Sequence, residues 1–278
     1  MNQTLRNVVL SAVLLASIFT HTPQAQAEEN APDAPPVTMT VNTLVDKLDP
    51  NDGKCSFREA MARAFGSPEV NISECPVSNG NTKITFAVAG TIVLTNAVQH
   101  GALPDTINFV TIQGPVTIDG GNIKQILFDV ESSGTLNLIN VNIKNARYTA
   151  IDSRGKLQIA GGKFENNSAG GAGGGVIRND GTAIIAGASF INNKAVRKPN
   201  EGALAVKDGG AIRTTWKLSV AGSTFKGNVS DGQGGAIAFK AGNMDIADSS
   251  FTANVTKGQA PDLDYGGDGG RGGRRWWG

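Results

Sequence analysis

Histidine is almost missing from this chain: there are 2 in 278 residues, His21 and His100. His21 lies in the leader described below, so a histidine-based triad or zinc site has one candidate at most. That candidate, His100 in NAVQHGALP, sits beside Gly101 and Pro104 and reads as a solvated loop residue. Aromatic residues are also few, at 6%, while glycine, at 36 residues, is nearly twice its ordinary usage. Such a chain turns often and packs small residues closely. No GxSxG, HExxH, P-loop or dinucleotide fingerprint occurs. Nor is there an excess of one charge. Removing Arg6 with the leader brings the 25 basic residues level with the 24 acidic ones, which argues against a general nucleic-acid or membrane-surface binder.

What is present begins with a single Arg, an apolar run from Val8 to Phe19, and the small-residue site Ala25-Gln26-Ala27. Residues 1–27 read as a secretory signal peptide cut after Ala27; the apolar run falls short of the roughly 20 residues a membrane anchor needs. No later run is long enough to cross a bilayer, so the mature chain is expected to be exported and secreted or surface-held. Residues 28–37 are proline-rich and charged, and read as a disordered linker. Export places Cys55 and Cys75 where thiols oxidise, and only one intramolecular pairing exists. Two free thiols or an intermolecular bridge remain the alternatives. Closing about twenty residues would stabilise the fold by roughly 3 kcal/mol in a chain-entropy account.

Between the cysteines, CSFREAMARAF carries a helix start, with Ser56 three residues before Glu59 as a capping box. Phe57, Ala60, Met61, Ala64 and Phe65 share one face at helical spacing, with Arg58 and Arg63 directed elsewhere. DGKCSFREAMARAF, together with the later CPVSNGNTKITFAVAGTIVLT, resembles the CSLREA domain of exported bacterial proteins. Phe57 replaces the family's Leu, and Lys83 stands near a usual acidic position. The resemblance implies a capping module heading a right-handed parallel β-helix, mostly in surface proteins, and implies no catalytic site.

A repeat follows, aligned on FENN, FINN, FKGN and FTAN, which begin at Phe164, Phe190, Phe225 and Phe251. Five residues before each Phe stand Ile159, Ile185, Val220 and Ile246; seven before stand Leu157, Ala183, Leu218 and Met244. Three residues after stand Asn167, Asn193, Asn228 and Asn254, and an earlier copy offers Leu136, Leu138 and Ile143 in the same apolar columns. Apolar residues two apart are strand period, and each repeat of about 25 residues suits one circuit of three short strands. The fold class is therefore all-β: a parallel β-helix from about 84 to 256, headed by the capping module at 38–83 with its short helix. Stacking should turn the phenylalanines into an internal ladder and the asparagines into a second ladder at a turn. Asn166, Asn228 and Asn254 also head N-x-S/T sequons, but the ladder register favours a structural role. GGAI at 209–212 and 234–237, with GGGVI ending at Ile177, marks the corner where each circuit turns.

The GG[AV]I and FxxN elements over about 150–256 resemble the repeats of chlamydial polymorphic outer membrane proteins. That resemblance implies a surface-exposed β-helix passenger, adhesin-like, with surface glycans or host-cell receptors as partners and an outer-membrane association. Functional loops in a solenoid break the repeat, and the one long interval, around 196–206, is the expected projection. A polysaccharide lyase or hydrolase is the competing reading. Its candidates follow the repeat isoleucines: Asp152, Arg178 and Arg213, an acid below two guanidinium forks that match carboxylates. No cofactor is expected. Asp119, Asp180, Asp208 and Asp231 all precede Gly, as turns require, and only Asp262, Asp264 and Asp268 resemble a loose calcium cluster. They fall in the Gly-rich tail, 257–278, which reads either as truncated or as folding back over the open end of the stack.

Overall fold

The computed structural model describes residues 34–49, 51–66, 74–95, 102–121, 125–169, 173–197 and 207–257. The signal peptide, most of the linker, His100, residues 198–206 of the long interval, and the tail beyond Lys257 with its three aspartates lie outside them.

The first strand, β1 (Val37–Val41), is already a rung of the stack. It pairs in parallel with β2 (Asn81–Phe86), Val37 opposite Thr82. Between them in sequence lies α1 (Phe57–Phe65), which starts at the capping box foreseen: Ser56 accepts from the Glu59 N–H while the Glu59 carboxylate accepts from the Ser56 N–H. It ends at Gly66 in the left-handed region (φ 79°). Phe57 packs against Phe86 and Phe128, ring centroids 6.1 and 6.3 Å away, so the apolar face covers the first layers of the core. Cys55 and Cys75 form the disulfide. Arg58 departs from the helical-wheel expectation. It is buried and grips Asp46 with Nε–Oδ1 at 2.7 Å and Nη2–Oδ2 at 3.0 Å, while Asp46 Oδ2 also accepts from the Thr95 N–H.

The circuits then follow in order. β3 (Thr91–Val93) and β4 (Phe109–Asp119) precede β5 (Phe128–Val130) and β6 (Thr135–Lys144). One complete circuit is β7 (Ile151–Ser153), β8 (Lys156–Ala160) and β9 (Lys163–Glu165). The next is β10 (Ile177–Asn179), β11 (Thr182–Ala186), β12 (Ser189–Ile191) and β13 (Lys194–Ala195). The same order recurs in β14 (Ile212–Thr214), β15 (Lys217–Ala221), β16 (Thr224–Lys226) and β17 (Val229–Ser230). The last circuit holds β18 (Ile237–Phe239), β19 (Met244–Ala247), β20 (Ser250–Thr252) and β21 (Val255–Thr256). Each strand pairs in parallel with its counterpart one circuit away, giving a curled 13-stranded sheet, a five-stranded sheet and a three-stranded sheet. The fold is thus an all-β parallel solenoid with one helix among the described residues.

The sequence columns become physical columns. Leu136, Leu157, Ala183, Leu218 and Met244 are successive partners, as are Leu138, Ile159, Ile185, Val220 and Ile246. Ile143 sits below Phe164. The column extends further down than the repeat was legible, through Ile118 and Ile92. Phe164, Phe190 and Phe225 are fully buried, and their rings stack with centroids 4.9 and 4.8 Å apart. That spacing matches the rise of about 4.8 Å per parallel rung. Phe251 continues the stack at 4.8 Å but is only half-buried, because it stands on the last described rung.

The asparagines ladder beside them. Asn193 Oδ1 accepts from the backbone N–H and side-chain amide of Asn167, and Asn254 Oδ1 does the same for Asn228. Each ladder amide also donates to the backbone carbonyl of the column residue one circuit earlier: Asn167 to Ile143 at 3.1 Å, and Asn193, Asn228 and Asn254 to Phe164, Phe190 and Phe225. Asn228, one of the sequon asparagines, is fully buried and so is occupied by this role. The residue before each ladder asparagine is left-handed: Asn166, Asn192, Gly227 and Ala253 have φ of 56, 54, 64 and 54°. Asn and Gly tolerate that region; Ala does not.

GGAI is a corner, as its glycines implied. Gly209 has φ 70°, and a Cβ on Gly210 would strike the Gly235 carbonyl of the following circuit. The close approach is therefore to the circuit that follows. Ala211 and Ile212 then point into the core.

Candidate functional site

The five-stranded sheet, in order β18-β14-β10-β7-β5, presents its outer face as two charged columns, because alternation sends the isoleucines inward and the residues one and three places after them outward. The first column is Asp129, Asp152, Arg178, Arg213 and Ala238, each opposite the next in register. Two residues further along each strand, the second column holds Glu131, Arg154, Asp180, Thr215 and Lys240. The three candidates Asp152, Arg178 and Arg213 are therefore brought together on consecutive rungs.

They do not stand open. Arg178 Nε lies 3.3 Å from Asp152 Oδ1 and 3.1 Å from Asp180 Oδ2. Arg213 Nη1 is 3.5 Å from Asp180 Oδ1, which also accepts a 2.6 Å hydrogen bond from the Thr215 hydroxyl. One circuit group lower, Arg154 pairs with Asp129 at 2.8 Å and Glu131 at 2.7 Å. The backbone at Gly173 comes down on the aliphatic part of Arg213, so closely that a Cβ there would overlap Arg213 Cδ.

Burial sets the protonation balance along this face. Asp152 is 3% exposed, and burial pushes its carboxyl up against the opposing pull of Arg178. Asp129 is likewise pushed up by burial, with Arg154 opposing. For Asp180 burial also acts upward, but hydrogen bonds from Thr215 and Arg178 and the charges of Arg178 and Arg213 outweigh it, so its carboxyl is held below its ordinary value. The arrangement is a cross-strand lattice in which Arg154 and Arg178 each bridge two carboxylates and Arg213 reaches Asp180.

Sequence reasoning compared only the residue after each isoleucine and so missed the second column. The signal was available two positions on, in DSR, RND and RTT, but a column counts only once rungs are aligned across the 35-residue interval. The Asp-Gly turn residues also do more than turn. Asp208 accepts from the Gln233 N–H at 2.6 Å and pairs with Lys240 at 2.6 Å; Asp231 accepts from the Arg197 N–H at 2.7 Å. Each reaches a neighbouring circuit. Among the described residues, no group of three or more His, Cys, Asp and Glu side chains is placed to hold a metal ion, and no helix is long and apolar enough to cross a membrane.

Repeated parallel circuits with a charged lateral face define the class: an all-β parallel solenoid. The Chlamydia polymorphic membrane protein repeat matches residues 222–240. That segment runs from the left-handed turn at Gly222 through Phe225, Asn228 and GGAI to Lys240, so the likeness falls on the residues that build one rung. No curated protein and no solved structure matches the chain.

Proposed function

We propose that the chain is an exported, cell-surface or secreted right-handed parallel β-helix that serves as an adhesin-like scaffold, touching surface glycans or host-cell receptors through its lateral face and the 196–206 insertion, without catalysis of its own. The observation that carries this reading is the polymorphic membrane protein repeat at residues 222–240, seated on a rung whose neighbours copy it. The right hand follows from the general rule for parallel crossovers. The amino-terminal segment, with its capping box and disulfide, is compatible with a CSLREA-like cap. Asp152, Arg178 and Arg213 are engaged with Asp180 and one another, which suits a binding face better than a reaction centre. The test is twofold. Antibody or protease should reach the protein on intact producing cells, and the purified chain should retain bacteria-sized beads on epithelial monolayers; beads that wash off like uncoated ones would sink the proposal.

The lyase reading retains one favouring observation, the pushed-up Asp152 carboxyl beside Arg178. Incubation with acidic polysaccharides and calcium decides it. Ultraviolet-absorbing unsaturated ends that vanish in Arg213→Ala would replace the scaffold reading with an enzyme.

A further inference from the structure

At the corner before β8, β11 and β15, each circuit places a glycine, until one circuit does not. Thr135, Lys156, Thr182 and Lys217 are register partners, so the residues immediately before them, Gly134, Gly155, Gly181 and Trp216, form one column. The glycines are there because the backbones nearly touch: a Cβ on Gly155 would overlap the Gly134 carbonyl, and one on Gly181 the Gly155 carbonyl. On the following circuit Gly242 lies against the Trp216 backbone, where its own Cβ would be 2.5 Å from the Trp216 oxygen. An indole thus projects from a column whose other members have no side chain to cover it. Trp216 is 59% exposed, and among the described residues its ring N–H meets no hydrogen-bond acceptor.

Cations flank it. Lys217 is exposed and Lys156 half-exposed, and neither makes an ion pair among the described residues, whereas Arg154, Arg178, Arg213 and Lys240 close by all do. Lys156 and Lys217 lie two rungs apart, which is roughly 10 Å at about 4.8 Å per rung. Thr182 stands between them with a half-exposed hydroxyl-bearing side chain.

We infer that this corner is a subsite for an acidic polysaccharide, in which one pyranose ring stacks its C–H face on Trp216 and carboxylate or sulfate groups on the chain meet Lys217 and Lys156. An indole is the side chain best suited to such a face, being broad, rigid and polarised. The rung spacing is close to the advance of an extended sugar chain per residue, so alternate sugars would meet alternate rungs. Ammonium groups on flexible stems can follow anionic groups of either kind. The arginines of the neighbouring lattice are held by its carboxylates, whereas Lys156 and Lys217 make no ion pair among the described residues and so can turn to an anionic ligand. This inference rests on the glycan-contacting reading of the scaffold and names the ligand class and the place.

The experiment is titration calorimetry of the full chain with oligogalacturonate, a heparin-derived oligosaccharide and neutral maltohexaose, beside the bead adhesion assay. The acidic sugars should bind, more weakly at high salt. Trp216→Ala should weaken binding at least tenfold, and Lys156→Ala/Lys217→Ala should abolish the preference for acidic over neutral sugar. All variants should keep the wild-type unfolding temperature, since the three side chains are outside the core. Binding unchanged in Trp216→Ala, or a wild type that prefers maltohexaose, overturns the inference. If adhesion persists without such binding, the corner is wrong and the scaffold reading stands; a non-adhesive wild type removes both.

Discussion

The side-chain carbonyl of Asn228 accepts two hydrogen bonds from Asn193, one from its backbone N–H at 3.0 Å and one from its side-chain amide at 2.9 Å. Both residues are fully buried. The pair holds chain at a turn, where side-chain amides take the place of a strand partner for the Asn193 N–H.

Truncating Asn228 therefore removes the acceptor of the buried Asn193 N–H and the donor to the Phe190 carbonyl, and leaves the Asn193 amide with its bond to Phe164 alone. Asn228→Ala should cost about 3 kcal/mol or more, at about 1 to 3 kcal/mol per orphaned buried group. Asn254→Ala removes the same bonds at a half-buried rung that water reaches, and should cost about 1 kcal/mol. Urea titration of the two variants checks the ratio; equal losses would mean the ladder is not the source.

The phenylalanine stack makes a parallel case. Phe225 is fully buried between Phe190 and Phe251, so Phe225→Ala should destabilise by about 3 to 5 kcal/mol. Phe251→Ala, at the half-buried end of the stack, should lose only about 1 to 2 kcal/mol. Thermal and urea unfolding of both variants measures this directly.

One residue sits in the wrong conformation for its type. Ala253 takes φ 54° where the equivalent positions hold Asn166, Asn192 and Gly227. Left-handed geometry costs an ordinary residue about 1 to 2 kcal/mol. Ala253→Gly should accordingly raise stability by about 1 kcal/mol, despite the larger entropy of glycine in the unfolded chain. A drop in the urea midpoint would contradict it.

In the amino-terminal segment, Arg58 and Asp46 form a buried two-point ion pair. Arg58→Ala leaves a buried carboxylate and should cost about 3 to 5 kcal/mol, while the double change Arg58→Met with Asp46→Leu should recover most of that loss. A double variant no better than the single one would show that specific bonds, such as Asp46 to the Thr95 N–H, matter more than charge.

On the five-stranded sheet, two carboxylates respond to pH with opposite signs. Asp152 is raised, so the folded state favours its protonated form; that contribution is complete below the ordinary value of 3.8 and is lost as pH rises through the raised value. Asp180 is lowered, so its contribution is present above 3.8 and is lost as pH falls through the lowered value. At pH 7, Asp180→Asn should cost about 1 kcal/mol, and Asp152→Asn should cost less. The gap between them should close as pH is brought down through 4 toward 3, which urea midpoints across that range will record.

The charged face shows where legibility ended. Asp152, Arg178 and Arg213 could be picked out because each follows a repeat isoleucine. That Arg178 would share itself between Asp152 one circuit away and Asp180 just past its own strand could not, because both distances depend on how the rungs seat. Arg58 was similarly opaque. A helical wheel separates apolar from polar faces, but α1 is enclosed nearly all round, and only a buried partner such as Asp46 makes an inward arginine tolerable.

By itself the sequence determined the inward columns. A parallel rung gives each residue the same neighbours as its counterpart one circuit away, so burial selects the same type at Leu157 and Leu218, or at Phe164 and Phe225, and the period becomes visible. Left-handed turns were also encoded, in the Asn or Gly ahead of three of the four ladder asparagines. Tertiary structure alone decided the outward chemistry: which charges neutralise one another, and that Trp216 stands uncovered with Lys217 and Lys156 beside it. Solvent-facing positions are under no packing constraint to repeat, and their meaning arises only when separate circuits are laid side by side.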